Sequence, residues 1–199
     1  MRKSALALLF AVVTTASAAV TTAIPATANT FGFYAWHPTW CCPKTDNRDV
    51  YWNASTLTTN MLYAADYGMA NLDYQTDLRI GGYDSSAGTH TDVVRFDAYY
   101  VDYWGKDWDG SSTGKNLTGS TKCVRVLAQI GGEYTCDRAE LRFDLADMTG
   151  TTVRRKTACH EIGHSIGLGH TNLTSCMKAG TSTTATYSSH DRSHINGAW

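Results

Sequence analysis

The sequence HEIGHSIGLGH, residues 160–170, sets three histidines and a glutamate at a spacing that suits a metal ion. On an α-helix each residue advances by about 100° and rises by about 1.5 Å, so His160 and His164 share one face, one turn apart. Glu161 lies on the same side, where it can touch a metal-bound water but is badly placed to be a ligand. A third protein ligand must therefore come from beyond the helix.

Gly167 is the natural end of this helix, because glycine tolerates the left-handed conformation that ends many helices. Gly169 adds further freedom, so that His170 can turn back to the metal. Three nitrogen ligands leave a fourth position for water, as in catalytic zinc sites, whereas structural zinc sites fill all four positions. The competing interpretation, a helix with three surface histidines, is disfavoured because the pattern fixes several residue types at set positions.

The extended motif resembles the signature of the metzincin metallopeptidases, H-E-x-x-H-x-x-G-x-x-H followed by a methionine-containing turn, the Met-turn. A candidate for this turn follows closely in Thr174-Ser175-Cys176-Met177. In the family this methionine lies beneath the metal without binding it, and the resemblance assigns that position to Met177. Within the family, residues 167–170 are most similar to the matrixins and to small secreted bacterial relatives. The resemblance is specific from about Asp92 to the C-terminus.

The resemblance implies an α+β fold, namely a metzincin-like (zincin) catalytic domain. In such a domain a twisted mixed sheet with an antiparallel edge strand accompanies an active-site helix and a C-terminal helix. It also implies zinc bound by His160, His164 and His170, with Glu161 as the general base. Calcium is a further metal that the resemblance suggests, without indicating its ligands. An extended peptide or protein substrate would pair with the predicted edge strand at residues 124–130.

Local sequence patterns place strands and helices along the chain. The predicted strands are residues 49–52, 77–80, 92–103, 124–130 and 139–145, and residues 105–122 are expected to be a loop. The first predicted helix is capped by Ser55 or Thr58 and ends near Ala70. The second is capped by Thr151 or Thr152 and continues through the metal motif, and the third covers residues 190–197. The strand–helix–strand start indicates a parallel sheet, and a hairpin at Gly131-Gly132 adds an antiparallel strand.

Residues 1–28 have the features of a secretory signal peptide: a positively charged start, an apolar run at residues 4–13 and then small residues. The apolar run is too short to span a membrane. Cleavage is expected after Ala18 or Ala28, and we prefer Ala28. We therefore expect a secreted, extracellular protein in which residues 29–199 form one zinc metallopeptidase domain.

The charge balance gives no indication of a polyanionic partner. The formal net charge is −1, so we expect neither a nucleic acid nor an anionic membrane as a partner, and we expect a monomer. The basic run Arg154-Arg155-Lys156 is interpreted as a solvated helix face, since such clusters need further context to indicate binding. His190 and His194 lie one helical turn apart and are spaced to hold a second metal, but solvent-facing histidines are the favoured interpretation.

Six cysteines in a secreted chain predict disulfide bonds, although the sequence alone does not fix their connectivity. On its helix, Cys159 points about 100° away from His160, toward the core side and not toward the metal. We pair Cys159 with Cys176, which stands beside Met177. This pair would tie the active-site helix to the Met-turn.

Cys123 and Cys136 flank a hairpin-like stretch and form the second predicted pair. Cys41 and Cys42 are left without an assigned partner. Three arrangements stay open for them: a bridge between the two neighbours, exchange with the other pairs, or pairing between chains.

These residues predict a zinc-dependent endopeptidase. Zinc would lower the pKa of its water to about 7, and Glu161 would accept the proton as the water attacks the peptide carbonyl and then pass it to the leaving amine. A thermolysin-like site is disfavoured, because its third ligand is a downstream glutamate and no glutamate follows Glu161. The alternative is a non-catalytic secreted zinc-binding module on the same fold. The intact Glu161 argues against that alternative, because such a module needs no base.

Overall fold

The computed structural model describes residues 43–46, 48–83, 93–97, 118–128, 134–145 and 147–199. Several predictions concern residues outside these ranges: the signal peptide, Cys41 and Cys42, Asp92 and residues 98–103 of the third predicted strand, residues 105–117 of the predicted loop, residues 129–130 and the Gly131-Gly132 turn. Within the described ranges, no helix is both long enough and apolar enough to cross a membrane.

The described residues form five strands and three helices. In chain order they are β1 (Asp49–Thr56), α1 (Thr59–Gln75), β2 (Arg79–Tyr83), β3 (Val93–Asp97), β4 (Gly119–Ala128), β5 (Tyr134–Phe143), α2 (Thr151–Ser165) and α3 (Ser189–Asn196). The strands make one sheet in the order β2-β1-β3-β5-β4. Neighbouring strands are parallel except for β4, which pairs antiparallel with β5 and lies at the edge. This mixed sheet with an antiparallel edge strand agrees with the sequence prediction.

The core combines side chains from the sheet and the helices. Its largest fully buried members are Met61, Met69, Leu72, Leu141, Phe143, Met148, Ile162, Ile166, Leu168, Met177 and Ile195. Burying one such side chain completely is worth about 1.5–3 kcal/mol. Because α2 contacts α1, β4 and β5, this core fixes the helix that carries the metal motif against the sheet.

Two disulfide bonds are present among the described residues, and both are the predicted pairs. Cys123–Cys136 joins β4 to β5. Cys159–Cys176 joins α2 to the segment after it. Both cysteines of the second pair are completely buried, as expected from the core-facing side of the helix.

Of the two residues predicted at the start of α1, Ser55 and Thr58, the structure excludes Ser55. β1 continues to Thr56, so Ser55 belongs to the strand, because β1 pairs on both sides with β2 and β3. Thr58 is the residue before the first turn of α1, but its side chain makes no capping hydrogen bond. The helix also continues beyond Ala70 to Gln75.

The predicted start of β4 and the predicted cap of α2 were also wrong. β4 begins at Gly119, inside the predicted loop, because this residue pairs with Phe143 of β5, a partner that lies far along the chain. α2 begins at Thr151, and neither Thr151 nor Thr152 caps it. The residue before the helix is Gly150, which has a φ of 86° and no side chain to offer a hydrogen bond.

The prediction of a solvated helix face at Arg154-Arg155-Lys156 holds for Arg155 but is wrong for Lys156. Arg155 is exposed, whereas Lys156 is only 9 % exposed. The reason is the position of α2, which has α1 on one side and β4 and β5 on another. Such long-range coverage of a helix cannot be recognised from the local pattern of charges.

Candidate metal centre

The turn after α2 carries the third histidine of the motif. Ile166 ends the helix and is followed by Gly167, whose φ of 109° is a conformation that side-chain-bearing residues rarely adopt. A Cβ at this position would also lie 2.7 Å from the Cα of Lys44. The Leu168 N–H donates to the carbonyl of Gly163 at 2.9 Å, which closes the turn. The sequence prediction that Gly167 lets the chain turn back therefore agrees with the geometry.

The three predicted ligands converge. The Nε2 atoms of His160 and His164 are 3.1 Å apart, and each is 3.2 Å from the Nε2 of His170. With metal–nitrogen bonds of about 2.0–2.1 Å, such separations correspond to angles of roughly 100° at a central ion. In the described part of the chain, this is the one group of three or more His, Cys, Asp or Glu side chains arranged to hold a metal.

The other ring nitrogens of two of these histidines are hydrogen-bonded to backbone carbonyls. His160 Nδ1 donates to the carbonyl of Cys176 at 2.7 Å, and His164 Nδ1 donates to the carbonyl of Leu168 at 2.7 Å. A carbonyl oxygen can only accept, so in each neutral ring the hydrogen is on Nδ1 and the lone pair is on Nε2. Both lone pairs therefore point into the space between the rings, which is the arrangement that a metal ligand requires.

The protonation of these rings favours metal binding. Burial lowers the pKa of His160 to about 2, with further contributions from the neighbouring His164 and Lys156. Burial also lowers the pKa of His164 to about 4 and shifts that of His170 downward. Neutral imidazoles at ordinary pH are the form that coordinates cations, and a set of three nitrogen donors suits Zn²⁺. The residues present therefore fit a zinc ion with an open fourth position.

Glu161 lies beside the histidines and is only 5 % exposed. Its carboxylate Oε2 is 2.7 Å from the Oγ1 of Thr121 on β4, and the same hydroxyl is 2.9 Å from the Glu161 backbone carbonyl. Burial raises the pKa of Glu161 to about 7, while the Thr121 hydrogen bond and the charge of Lys156 act to lower it. A carboxyl group with this pKa can both accept and return a proton near neutral pH.

Three residues around Glu161 were missed by the sequence analysis. Thr121 supplies the hydrogen bond, and Gly119 leaves room, since a Cβ there would lie 2.8 Å from both Cγ and Oε1 of Glu161. Lys156 is the third; burial lowers its pKa, and the charge of Glu161 opposes that shift. Gly119 and Thr121 lie in the segment predicted to be a loop, and no local sequence pattern distinguishes them there.

Met177 packs directly beneath α2. It is completely buried, and a Cβ on Gly163 would lie 2.2 Å from its sulfur atom. Its carbonyl accepts a hydrogen bond from the Thr171 N–H at 3.1 Å, which links the segment of Met177 to the residue after His170. Met177 therefore contacts α2 at Gly163, the residue before His164.

Tyr187 is also buried, and its hydroxyl donates to the carbonyl of Cys159 at 3.0 Å. Burial raises the pKa of this phenol, which stays protonated. The hydroxyl is therefore engaged with the backbone of α2 and is not directed at the metal centre.

Asp191 on α3 is completely buried and accepts hydrogen bonds from two serines. Its carboxylate Oδ2 accepts from the hydroxyl of Ser175 at 2.5 Å and from the N–H and hydroxyl of Ser188, both at 2.8 Å. Ser175 Oγ in turn accepts from the N–H of Met177 at 3.0 Å. Asp191 thus connects α3 to the Met177 segment, and the pattern Ser188-x-x-Asp191 is the capping box that could have revealed the start of α3.

The sequence matches no protein-family model and no curated protein. Among solved structures, the chain is similar to archaemetzincin from Archaeoglobus fulgidus, determined in complex with malonate. The two are 15% identical, the alignment covers 74% of this chain and 99% of that chain, and the TM-score is 0.40. Archaemetzincin is therefore a distant structural neighbour, and the match assigns no function to this chain.

Proposed function

We propose that the protein is a secreted zinc-dependent endopeptidase of the matrixin type, with His160, His164 and His170 as zinc ligands and Glu161 as the general base. The observation that carries the proposal is the direction of the histidine lone pairs. Two rings are fixed by carbonyl hydrogen bonds with Nε2 unprotonated, and both Nε2 atoms face a third. Without a cation, these acceptors would face one another with no donor between the two fixed rings.

Zinc, when bound, supplies a Lewis acid that polarises a carbonyl and lowers the pKa of a water molecule. The chain supplies the proton transfer: Glu161 accepts the proton from the attacking water and delivers it to the leaving amine. Thr121 holds the carboxylate from β4, and Lys156 provides a positive charge that favours its ionised form. Both groups act on Glu161 without competing for the metal.

The proposed substrate is an extended peptide or unfolded protein segment that pairs with the edge strand β4. This strand has one neighbour among the described strands, β5, and its Gly119–Thr121 end contacts Glu161. Val124 and Leu127 are large apolar residues exposed on the same strand. An unpaired strand edge with exposed apolar side chains is suited to main-chain pairing with an extended peptide.

The remaining expectations from the sequence stand as part of this proposal. They are a signal peptide at residues 1–28, an extracellular monomer, and no nucleic-acid or membrane partner. Calcium stays an additional metal suggested by the resemblance, with no ligands assigned.

The test is a Glu161→Gln substitution, which preserves size and hydrogen-bonding reach but removes the base. General-base catalysis contributes about 10²–10⁴-fold, so hydrolysis of an unstructured protein substrate should fall by that factor. Zinc content and peptide affinity should be unchanged, whereas the control His164→Ala should lose zinc. If the parent protein binds zinc and peptide but cleaves nothing, the enzyme proposal fails and the non-catalytic binding module replaces it.

A further inference from the structure

Helix α3 carries a second pair of histidines whose geometry matches that of the ligand pair on α2. His190 and His194 lie four residues apart, with Nε2 atoms separated by 3.1 Å, ring centroids by 4.5 Å and ring planes at 88°. For His160 and His164 the same quantities are 3.1 Å, 4.5 Å and 83°. The sequence analysis favoured solvent-facing side chains here, but both rings are partly buried and converge.

This separation suits two bonds to one cation. With metal–nitrogen bonds of about 2.0–2.1 Å, nitrogens 3.1 Å apart subtend roughly 100° at the metal, between the square-planar and tetrahedral angles. Because both side chains are partly exposed, water can fill the remaining coordination positions. Imidazole donors select the borderline cations Zn²⁺, Cu²⁺ and Ni²⁺ over Mg²⁺ and Ca²⁺, which prefer oxygen ligands.

The helix that presents this pair is held in place on its buried side. Ser188 and Asp191 form a capping box at its start, and Asp191 and Ile195 are completely buried. Asp191 also accepts the Ser175 hydroxyl, which places the carboxylate between α3 and the segment that carries Met177. The backbone under both histidines is therefore fixed before any ion arrives, which reduces the ordering cost of binding.

We propose that His190 and His194 form a second binding site for a borderline transition cation, separate from the centre on α2. The site has two protein ligands where the first has three. Changes in outer-shell partners alone alter metal affinity by about 10–100-fold, so a site with one ligand fewer should be weaker than the first by at least that factor. The proposal does not depend on the proposed peptidase activity. Binding there would cross-link one turn of α3 and, through Asp191, stabilise the Met177 segment.

The probe is Zn²⁺ alone, added to chelator-treated parent protein and measured by equilibrium dialysis with metal analysis. The parent should bind about two ions per chain, one tightly and one at least about tenfold more weakly. His190→Asn and His194→Asn should each abolish binding of the weakly held ion and leave binding of the tightly held ion unchanged. Ser193→Ala, an exposed position on the same helix, is the matched control and should retain both.

Unfolding temperatures separate this site from the first one. In a background with both His160→Asn and His164→Asn, which leaves one histidine at the first centre, Zn²⁺ should still raise the unfolding temperature, and adding His194→Asn should abolish that increase. A His194→Gln variant provides a second replacement should the asparagine variant fold poorly. The proposal is overturned if the parent binds one ion only, or if binding of the weakly held ion persists in both His194 variants.

Discussion

Thr121→Val removes the hydroxyl that holds the Glu161 carboxylate while keeping the shape of a β-branched side chain. The hydroxyl lies 2.7 Å from Oε2 of Glu161. A hydrogen bond to a charged group is worth about 1.5–3 kcal/mol, and about 1.4 kcal/mol corresponds to a tenfold change. If the bond is used while Glu161 accepts the proton, kcat should fall by about 10–150-fold.

Two features of the structure support a decrease at the upper part of this range. Gly119 and Thr121 lie on the same face of β4 beside the carboxylate, and of these two residues only Thr121 has a side chain that can donate a hydrogen bond. The same hydrogen bond acts against the burial that raises the pKa of Glu161 to about 7. Removing it leaves more of the carboxyl group protonated at neutral pH and therefore unable to act as a base.

The assay is steady-state cleavage of a peptide substrate by the zinc-loaded parent, Thr121→Val and Thr121→Ser, with zinc content and circular dichroism measured for each. Thr121→Val should lower kcat with little change in KM, because the backbone of β4 is unaltered. Thr121→Ser retains a hydroxyl and should recover most of the activity. Equal kcat values for the parent and Thr121→Val, or equal losses in both variants, would refute the positioning role of Thr121.

Two further predictions concern stability. In chelator-treated protein, the pKa values of His160 and His164 are about 2 and 4, against 6.5 when exposed, so these two residues take up protons when the protein unfolds. The pKa of Glu161 is raised from 4.5 to about 7, so this residue takes up a proton when the protein folds. Between pH 4.5 and 6.5 the unfolded state therefore binds about one proton more than the folded state, so the free energy of unfolding should rise by on the order of 1 kcal/mol per pH unit. Urea titrations that find a decrease over this range would contradict the prediction. Cys159→Ser or Cys176→Ser should each cost about 3 kcal/mol, with the double variant little worse than either; additive losses, or peptide mapping that links Cys159 elsewhere, would reject the pairing.

The sequence predicted the parts of the site that depend on local geometry. The helical repeat predicts that His160 and His164 share one face. The backbone conformation that glycine allows at position 167 predicts that His170 returns to them. Thr121 could not be predicted in this way, because its contact with Glu161 joins residues 40 positions apart and depends on how β4 pairs with β5.

The same limitation applies to buried charges. Lys156 belongs to a basic run whose local pattern favours solvent, and only the packing of α2 against α1 and the sheet buries it. The hydrogen bond between Asp191 and Ser175 joins residues 16 positions apart and likewise comes from the fold. The pattern of a helix predicts which residues share a face, but the identity of the surface that covers that face comes from the whole fold.

The three histidines differ in exposure, so an ion entering or leaving the proposed site would meet them in a fixed order. His160 is only 8 % exposed and its ring is bonded to the Cys176 carbonyl, whereas His170 is exposed on the turn after the helix. A solvent ion or chelator therefore reaches His170 first and His160 last. Because His170 is outside α2, it can detach without breaking a hydrogen bond of the helix. In the proposed zinc site, the turn would therefore set how fast an ion is exchanged, and the helix would set how tightly it is held.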